Sequence, residues 1–263
     1  MVHESSGQIF NYYSKEEAAF AKMAMKITNF CFEKNQSKLV DFIEPNKQKV
    51  LQDLCNRYST LECIYYGGYD NAERKKALIV PVDWGYSKAD FKIQALKLTV
   101  TEYKHSLKHN DFLGAILGQG IKREKVGDIK LTENECFVII DSVIAEYIVD
   151  QMYQVGNYKV DVEKIDDEQL PDIQDEFKSI ECTVSSMRLD SIVKAATNMS
   201  RSKAAELINK GTVKLNWGVN ENTAASVNAN DIISIRGKGR FKILKVSPAN
   251  KKGRTPIQIG KYI

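Results

Sequence analysis

Between residues 14 and 58 the apolar positions follow a helical period. Ser14 with Glu17 reads as a capping box, after which Ala18, Ala21, Met25 and Phe32 keep to one face. A second helix is expected over 45–58, with Pro45 in its first turn and Val50, Leu51, Leu54 and Cys55 on the buried side. Residues 39–43, between the two, form a short connection of unassigned type. From Leu61 the period shortens to two, and 61–66 and 77–82 read as strands around the turn chemistry of Gly67-Gly68-Tyr69-Asp70. The order from Phe91 is strand (91–100), helix (111–117), strand (127–131), strand (136–140), helix (142–153) and strand (158–162). That βαββαβ order predicts a ferredoxin-like, or RRM-like, middle domain.

Residues 165–179 are acidic, contain Pro171 and lack apolar periodicity, so they read as a linker. Beyond them Leu189, Ile192, Val193 and Ala196 fall at i, i+3, i+4 and i+7, which predicts a short helix with one buried face. Ser200 is a suitable N-cap for a second helix packing through Ala204, Ala205 and Ile208, and Gly211 stands where that helix needs a left-handed terminator. Strands are expected around 213–216, 232–235 and 241–246. The fold class is therefore α+β, with four segments: an N-terminal α/β region (1–76), the RRM-like domain (77–164), an acidic linker (165–180) and a C-terminal module (181–263).

Charge sharpens this division. The chain carries a formal +4, yet residues 181–263 hold 15 Lys+Arg against 5 Asp+Glu, a net +10, which leaves −6 on the preceding 180 residues. A basic module beside an acidic segment suits a polyanion partner. No apolar run reaches the length of a membrane span, and the N-terminus lacks the basic start and apolar stretch of a signal peptide. The five cysteines are scattered and never spaced C-x-x-C, so reduced thiols in a cytoplasmic monomer are expected, without zinc or disulfides.

Within the basic module the cations fall outside the predicted buried faces. Arg188 precedes the first helix, and Arg201 and Lys203 lie on the first turn of the second, where backbone N–H groups also favour anions. Cations there oppose the helix dipole and call for a compensating anion, for which RNA phosphate is the candidate. Arginine suits phosphate because its planar fork makes bidentate bonds. Asp190 reads as an orienting partner for a cation. The order Met187-Arg188-Leu189-Asp190, Met199-Ser200-Arg201-Ser202-Lys203-Ala204, Gly211-Thr212-Val213-Lys214-Leu215-Asn216 and Asp231-Ile232-Ile233-Ser234-Ile235-Arg236-Gly237-Lys238-Gly239-Arg240 resembles the S4 RNA-binding domain. That resemblance nominates Arg188, Ser200, Arg201, Lys203, Lys214, Asn216, Arg236, Lys238 and Arg240 as the RNA-binding set. Pro248 onward adds Lys251, Lys252, Arg254 and Lys261, and reads equally as a loose basic tail and as a specific contact.

Two further blocks are similar to the YlmH family of bacterial S4 proteins. One is Tyr66-Gly67-Gly68-Tyr69-Asp70-Asn71-Ala72-Glu73-Arg74-Lys75; the other runs from His109 to Ile129 through Asp111-Phe112-Leu113-Gly114-Ala115-Ile116-Leu117-Gly118-Gln119-Gly120 and Lys122-Arg123-Glu124-Lys125-Val126-Gly127-Asp128. Asn110 departs from the arginine expected there. The resemblance implies a cytoplasmic protein of Gram-positive-type bacteria, encoded among cell-division genes, that binds ribosomal RNA and tRNA on the large ribosomal subunit in quality control of stalled translation. Arg74, Lys75, His109, Lys122, Arg123 and Lys125 are candidates for a secondary RNA or ribosome contact.

No catalytic residue, cofactor or metal is assigned. Gly118-Gln119-Gly120 follows a helix rather than a strand and reads as a helix-terminating turn. His105 and His109 have the i, i+4 spacing of two metal ligands but lack a third. His109 with Asp111 and Arg123 reads as a hydrogen-bonded turn network or an RNA contact. Residues 135–140 carry one aromatic, so base stacking of the RRM kind is not expected on that strand. Two competing functions remain: an RNA-modifying enzyme using Asp111, Arg123 and Asp128 with the basic module as its targeting arm, and an adaptor that offers its N-terminal helices to a division-protein partner.

Overall fold

A computed structural model of the chain describes residues 15–101, 107–132, 135–172, 175–250 and 252–262. Ser14, His105 and Lys251 lie outside the described residues. The chain divides into two compact units, Met1–Ile173 and Gln174–Ile263.

In the first unit, helix α1 (Lys15–Lys34) and helix α2 (Pro45–Cys55) pack on a three-stranded sheet. The buried line of α1 runs through Phe20, Ala21, Ala24 and Cys31 rather than through Ala18, Met25 and Phe32. The two small alanines allow the closest approach, so larger neighbours sit at the rim; Phe32 stays half exposed beside the Tyr58 ring, with centroids 4.8 Å apart. The unassigned connection is strand β1 (Lys38–Ile43). It pairs antiparallel with β3 (Lys75–Pro81), which also takes β2 (Leu61–Tyr66), giving the order β1–β3–β2. Strand β3 crosses the boundary expected at 76/77 and belongs by pairing to the N-terminal elements.

The second sheet holds β4 (Ile93–Val100), β5 (Val126–Leu131), β6 (Glu135–Asp141), β7 (Gln154–Val155) and β8 (Tyr158–Ile165), with helices α3 (His109–Gly118) and α4 (Ala145–Gln151). The strand order is β5–β6–β4–β8–β7, antiparallel at every pairing. The βαββαβ order is thus present, with Ser142–Ile144 as a 3-10 turn ahead of α4. Helix α3 ends at Gly118, and Gly120, at φ +80°, closes it, as a terminating turn requires. One sheet face packs Leu96, Leu98, Val138 and Ile140 against Phe112 and Ile116 of α3 and Ile148 of α4. The other packs Ala95, Phe137, Ile139 and Ile165 around Phe42 of β1, with Tyr69 alongside. Strand β6 is therefore buried on both faces, which explains its unbroken apolar run. Gly127 makes the joint close: a Cβ there would lie 2.8 Å from the Phe42 ring.

A buried ion cluster ties these layers together. Asp141, at the end of β6, accepts from Lys76 Nζ (2.8 Å) and Lys125 Nζ (2.9 Å), and caps the next turn by accepting from the Val143 N–H (3.0 Å). Lys76 is fully buried on β3 and also donates to the Lys92 carbonyl (2.9 Å); Lys125 also donates to Asp41 (2.8 Å). Burial alone would raise the Asp141 carboxyl, but the bonds from Lys76, Lys125 and Val143 outweigh it and bring it down to about 2. Burial in turn lowers the Lys76 ammonium.

The second unit builds one six-stranded sheet, in the order β11–β10–β12–β13–β14–β9, from β9 (Phe177–Val184), β10 (Val213–Leu215), β11 (Gly218–Val219), β12 (Ile232–Ile235), β13 (Gly239–Val246) and β14 (Thr255–Tyr262). Helices α5 (Leu189–Thr197) and α6 (Arg201–Asn209) cover one face, where Leu189, Ile192, Val193, Ala204 and Ile208 meet Ile233, Phe241, Ile243, Ile257 and Ile259. Three elements depart from expectation, the shortest being β11, which falls where no strand was expected. β9 begins at Phe177, inside the segment read as linker. β14 occupies what was open between a loose tail and a contact, and it pairs with both β13 and β9.

The cluster at Asp141 sets the expected response to mutation and pH. Asp141→Ala leaves Lys76 buried without its counter-charge and should cost about 3–5 kcal/mol in urea unfolding, whereas Lys76→Met with Asp141→Leu should cost clearly less. Because the folded carboxyl is depressed, its contribution is full above the ordinary carboxylate range and is lost as pH falls toward about 2, which acid unfolding of Asp141→Asn against the parent measures.

Candidate nucleic-acid interface

The candidate residues of the basic module gather around one carboxylate. Asp190, in the first turn of α5 and 4% exposed, accepts from Arg188 through Nε to Oδ1 and Nη2 to Oδ2, both at 3.2 Å. Its Oδ2 also accepts from Arg201 Nε (3.0 Å) and Nη2 (2.9 Å), across from the start of α6. Burial would raise this carboxyl, but the bonds from Arg188 and Arg201 outweigh burial and hold it below its ordinary range. Two guanidiniums on one carboxylate leave a net positive cluster, and their side chains keep 40% and 55% of their surface exposed. An oriented, half-exposed arginine pair of this kind can receive a phosphate without first having to order both side chains. The anion that offsets Arg201 at the helix start is therefore partly supplied by the protein itself.

Local structure holds this geometry. The N–H groups of Leu189 and Asp190 donate to the carbonyls of Ala225 (2.9 Å) and Thr223 (3.1 Å), so a loop occupies the N-terminal end of α5. Ser200 caps α6 as expected, its Oγ accepting from the Lys203 N–H (3.3 Å). Lys203, Arg236 and Lys238 are exposed, the last two in the turn between β12 and β13. Lys214 lies half-buried on β10. Arg240 stands 5.4 Å from the Trp217 ring centroid and 4.7 Å from that of Tyr262. Asn216 is used differently from the expectation: its amide nitrogen donates to Asp231 (2.8 Å) and its Oδ1 accepts from the Ile232 N–H (2.9 Å). These bonds hold a backbone at φ +49°, so the side chain serves the turn.

In the first unit the two distinctive blocks clasp one another. Asp128 accepts from Tyr69 Oη (2.6 Å) and from the N–H groups of Glu73 (2.7 Å) and Arg74 (3.0 Å). Arg74 is buried and donates to Glu44, to the carbonyls of Phe42 and Val126, and to that of Arg123. Arg123 donates to the carbonyls of Val126 and Gly127. Burial, and after it repulsion by Arg74, lowers Arg123 to about 10. Arg74 and Arg123, nominated as secondary RNA contacts, are thus enclosed fasteners of this joint, while Lys125, bonded to Asp41 and Asp141, keeps 35% of its side chain exposed. Sequence cannot distinguish a cation aimed at carbonyls from one aimed at solvent. Lys122 and His109 remain exposed, and Lys75 is half-buried with Nζ 3.5 Å from the Asp70 carbonyl. Asp111 accepts from the Lys108 N–H (2.7 Å) and caps α3, so it and Arg123 each serve backbone rather than one another.

A family model described as "Putative RNA-binding domain in YlmH" matches residues 87–169. The chain is 34% identical over 248 residues to the "Ribosome-associated protein quality control protein P2" of Bacillus subtilis (strain 168), covering 94% of this chain and 95% of that protein. Among solved structures it is similar to the "Cell division protein ylmH from Streptococcus pneumoniae", with a TM-score of 0.53 and 24% identity over 60% of this chain and 97% of that one, a likeness of fold.

The shared carboxylate makes a direct test available. Arg201→Ala removes one of the two guanidiniums that depress Asp190, so its carboxyl should titrate at higher pH than in the parent, still held in part by Arg188. A carboxyl-detected NMR titration reads the shift.

Proposed function

The chain belongs to the YlmH family, and from that membership we propose that it is a non-enzymatic, cytoplasmic RNA-binding protein that acts on the ribosome in quality control of stalled translation. The reading extends to the large subunit, with ribosomal RNA and tRNA as the structured RNAs bound. Its C-terminal unit serves as an S4 domain and its middle sheet as an RRM-like scaffold. The observation that carries it is the Arg188–Asp190–Arg201 cluster: two arginines oriented by one buried carboxylate on a unit whose sequence is strongly basic. The name of the Bacillus subtilis relative, similar along nearly its whole length, supports the ribosomal setting.

The middle sheet of the first unit supports this division of labour. The sheet face that an RRM offers to bases is here packed around Phe42, so stacking on it is blocked and contact falls to exposed groups such as Lys122. The enzyme reading is weakened by where its residues went. Asp111 caps a helix, and Arg123 and Asp128 bind backbone and Tyr69 inside the joint. Unchanged nucleoside profiles of ribosomal RNA and tRNA in a deletion strain would dispose of it.

Arg188→Ala with Arg201→Ala should abolish co-sedimentation with ribosomes while leaving the thermal transition of a folded protein. The slope of log affinity against log salt should fall by about one for each phosphate contact removed. Retained binding by a folded double variant would sink the reading.

A further inference from the structure

The C-terminal sheet has a second face, opposite α5 and α6, and its side chains follow a pattern that packing does not call for. Strand pairing places Lys214 beside Ser234 and Ser234 beside Arg240. The row then continues through Tyr262, paired with Phe177 at the end of β9. Arg240 lies 4.7 Å from the Tyr262 ring centroid and 5.4 Å from that of Trp217, in the turn between β10 and β11. Tyr262 and Phe177 meet edge to face at 4.8 Å and 68°, and Lys242 Nζ stands 5.8 Å from the Phe177 ring. Gly260 leaves room for this arrangement, since a Cβ there would meet Phe177 at 2.8 Å and Leu244 at 2.9 Å.

The row thus interleaves three cations with three aromatic rings, all partly exposed. Strands β10, β12, β13 and β14 contain no aspartate or glutamate, and β9 adds one acid, Glu181, so cations outnumber acids on this face. A face meant only to be soluble would balance both signs of charge, and one meant only to pack would omit the cations. Aromatic rings and a guanidinium plane side by side form a platform on which bases stack, while flanking lysines hold the phosphates between them.

We infer that this face binds a short run of unpaired RNA nucleotides, stacking their bases on Trp217, Arg240, Tyr262 and Phe177. The inference rests on the proposed RNA-binding function and adds a second subsite to it. The Arg188–Arg201 pair takes phosphate, and the outer sheet face takes single-stranded bases.

The test uses the full chain and two RNA hairpins that differ only in a single-stranded 3′ extension of about six nucleotides, within the span of such platforms. Fluorescence anisotropy at several salt concentrations gives the affinities. Trp217→Ala with Tyr262→Ala should lose about tenfold on the extended hairpin, the range expected for one stacked base, and hardly any on the blunt one. The salt slope should stay unchanged, because no phosphate contact is removed. Trp217→Phe with Tyr262→Phe, which keeps both rings, should recover binding to the extended hairpin. Equal losses on both hairpins, or no loss on the extended one, would overturn the inference. Trp217→Ala alone, a turn substitution, decides the matter where the double variant loses its thermal transition. Arg188→Ala with Arg201→Ala should weaken both hairpins alike. If it does so while the ring variants change nothing, the second subsite falls and the RNA-binding reading stands. If the parent chain binds neither hairpin, both fall.

Discussion

A carboxylate taken out of water destabilises a fold by several kcal/mol unless cations and N–H groups gather round it. Asp141 satisfies that requirement by drawing in groups from separate parts of the first unit. Lys76 comes from the central strand of the N-terminal sheet, Lys125 from the turn ahead of β5, and the Val143 N–H from the turn that leads into α4. Each partner is thereby fixed in direction as well as position. Without the carboxylate, Lys76 would be an uncompensated buried charge on a strand with both faces covered, working against the apolar packing around Phe42 that also holds the joint. Asp190 repeats the device in the second unit, with the difference that its two arginines keep much of their surface exposed. The same chemistry shuts Lys76 away completely and leaves both arginines open to solvent.

That contrast decides how cations should be read in this protein. Arg74 and Arg123 sit in the most distinctive stretches of sequence, yet their N–H groups go to carbonyls and to Glu44 within the joint. Phe42 and the loop after β2 cover the middle sheet, and Gly127 and Gly68 permit this by letting the Phe42 ring and Ile139 come within close contact of the backbone. The face such a sheet could use for bases is spent on holding the first unit together. The second unit keeps its helix-covered face for packing and leaves the opposite face with rings and cations side by side.

The helices of the basic module, the caps of the second and most of their buried positions were legible because short-range rules govern them: an i, i+3, i+4 pattern at Leu189, Ile192 and Val193, a serine at the N-cap, a glycine after the last turn. Ala205, expected on the packing face, lies outside the core. The βαββαβ order was legible for the same reason. Strands β1, β9 and β14 were not. β1 lies between two helical stretches without a clear period of its own, and β9 and β14 are flanked by acidic or basic stretches that resemble linkers; each is a strand because a distant partner offers a ladder, β3 for the first and each other for the last two. Asn216 was nominated for RNA by the S4 resemblance, whereas Asp231, fifteen positions on, claims its amide for a turn.

Composition and local pattern alone determined that the chain is an α+β protein with a basic C-terminal module, and which residues begin its last two helices, since propensity, capping and net charge depend on neighbours in sequence. Which cations face solvent, which strand ends the sheet and which rings stand beside Arg240 were decided by tertiary structure. Those outcomes depend on pairings between residues tens of positions apart, and only the folded chain brings the carboxylates, carbonyls and rings within bonding distance.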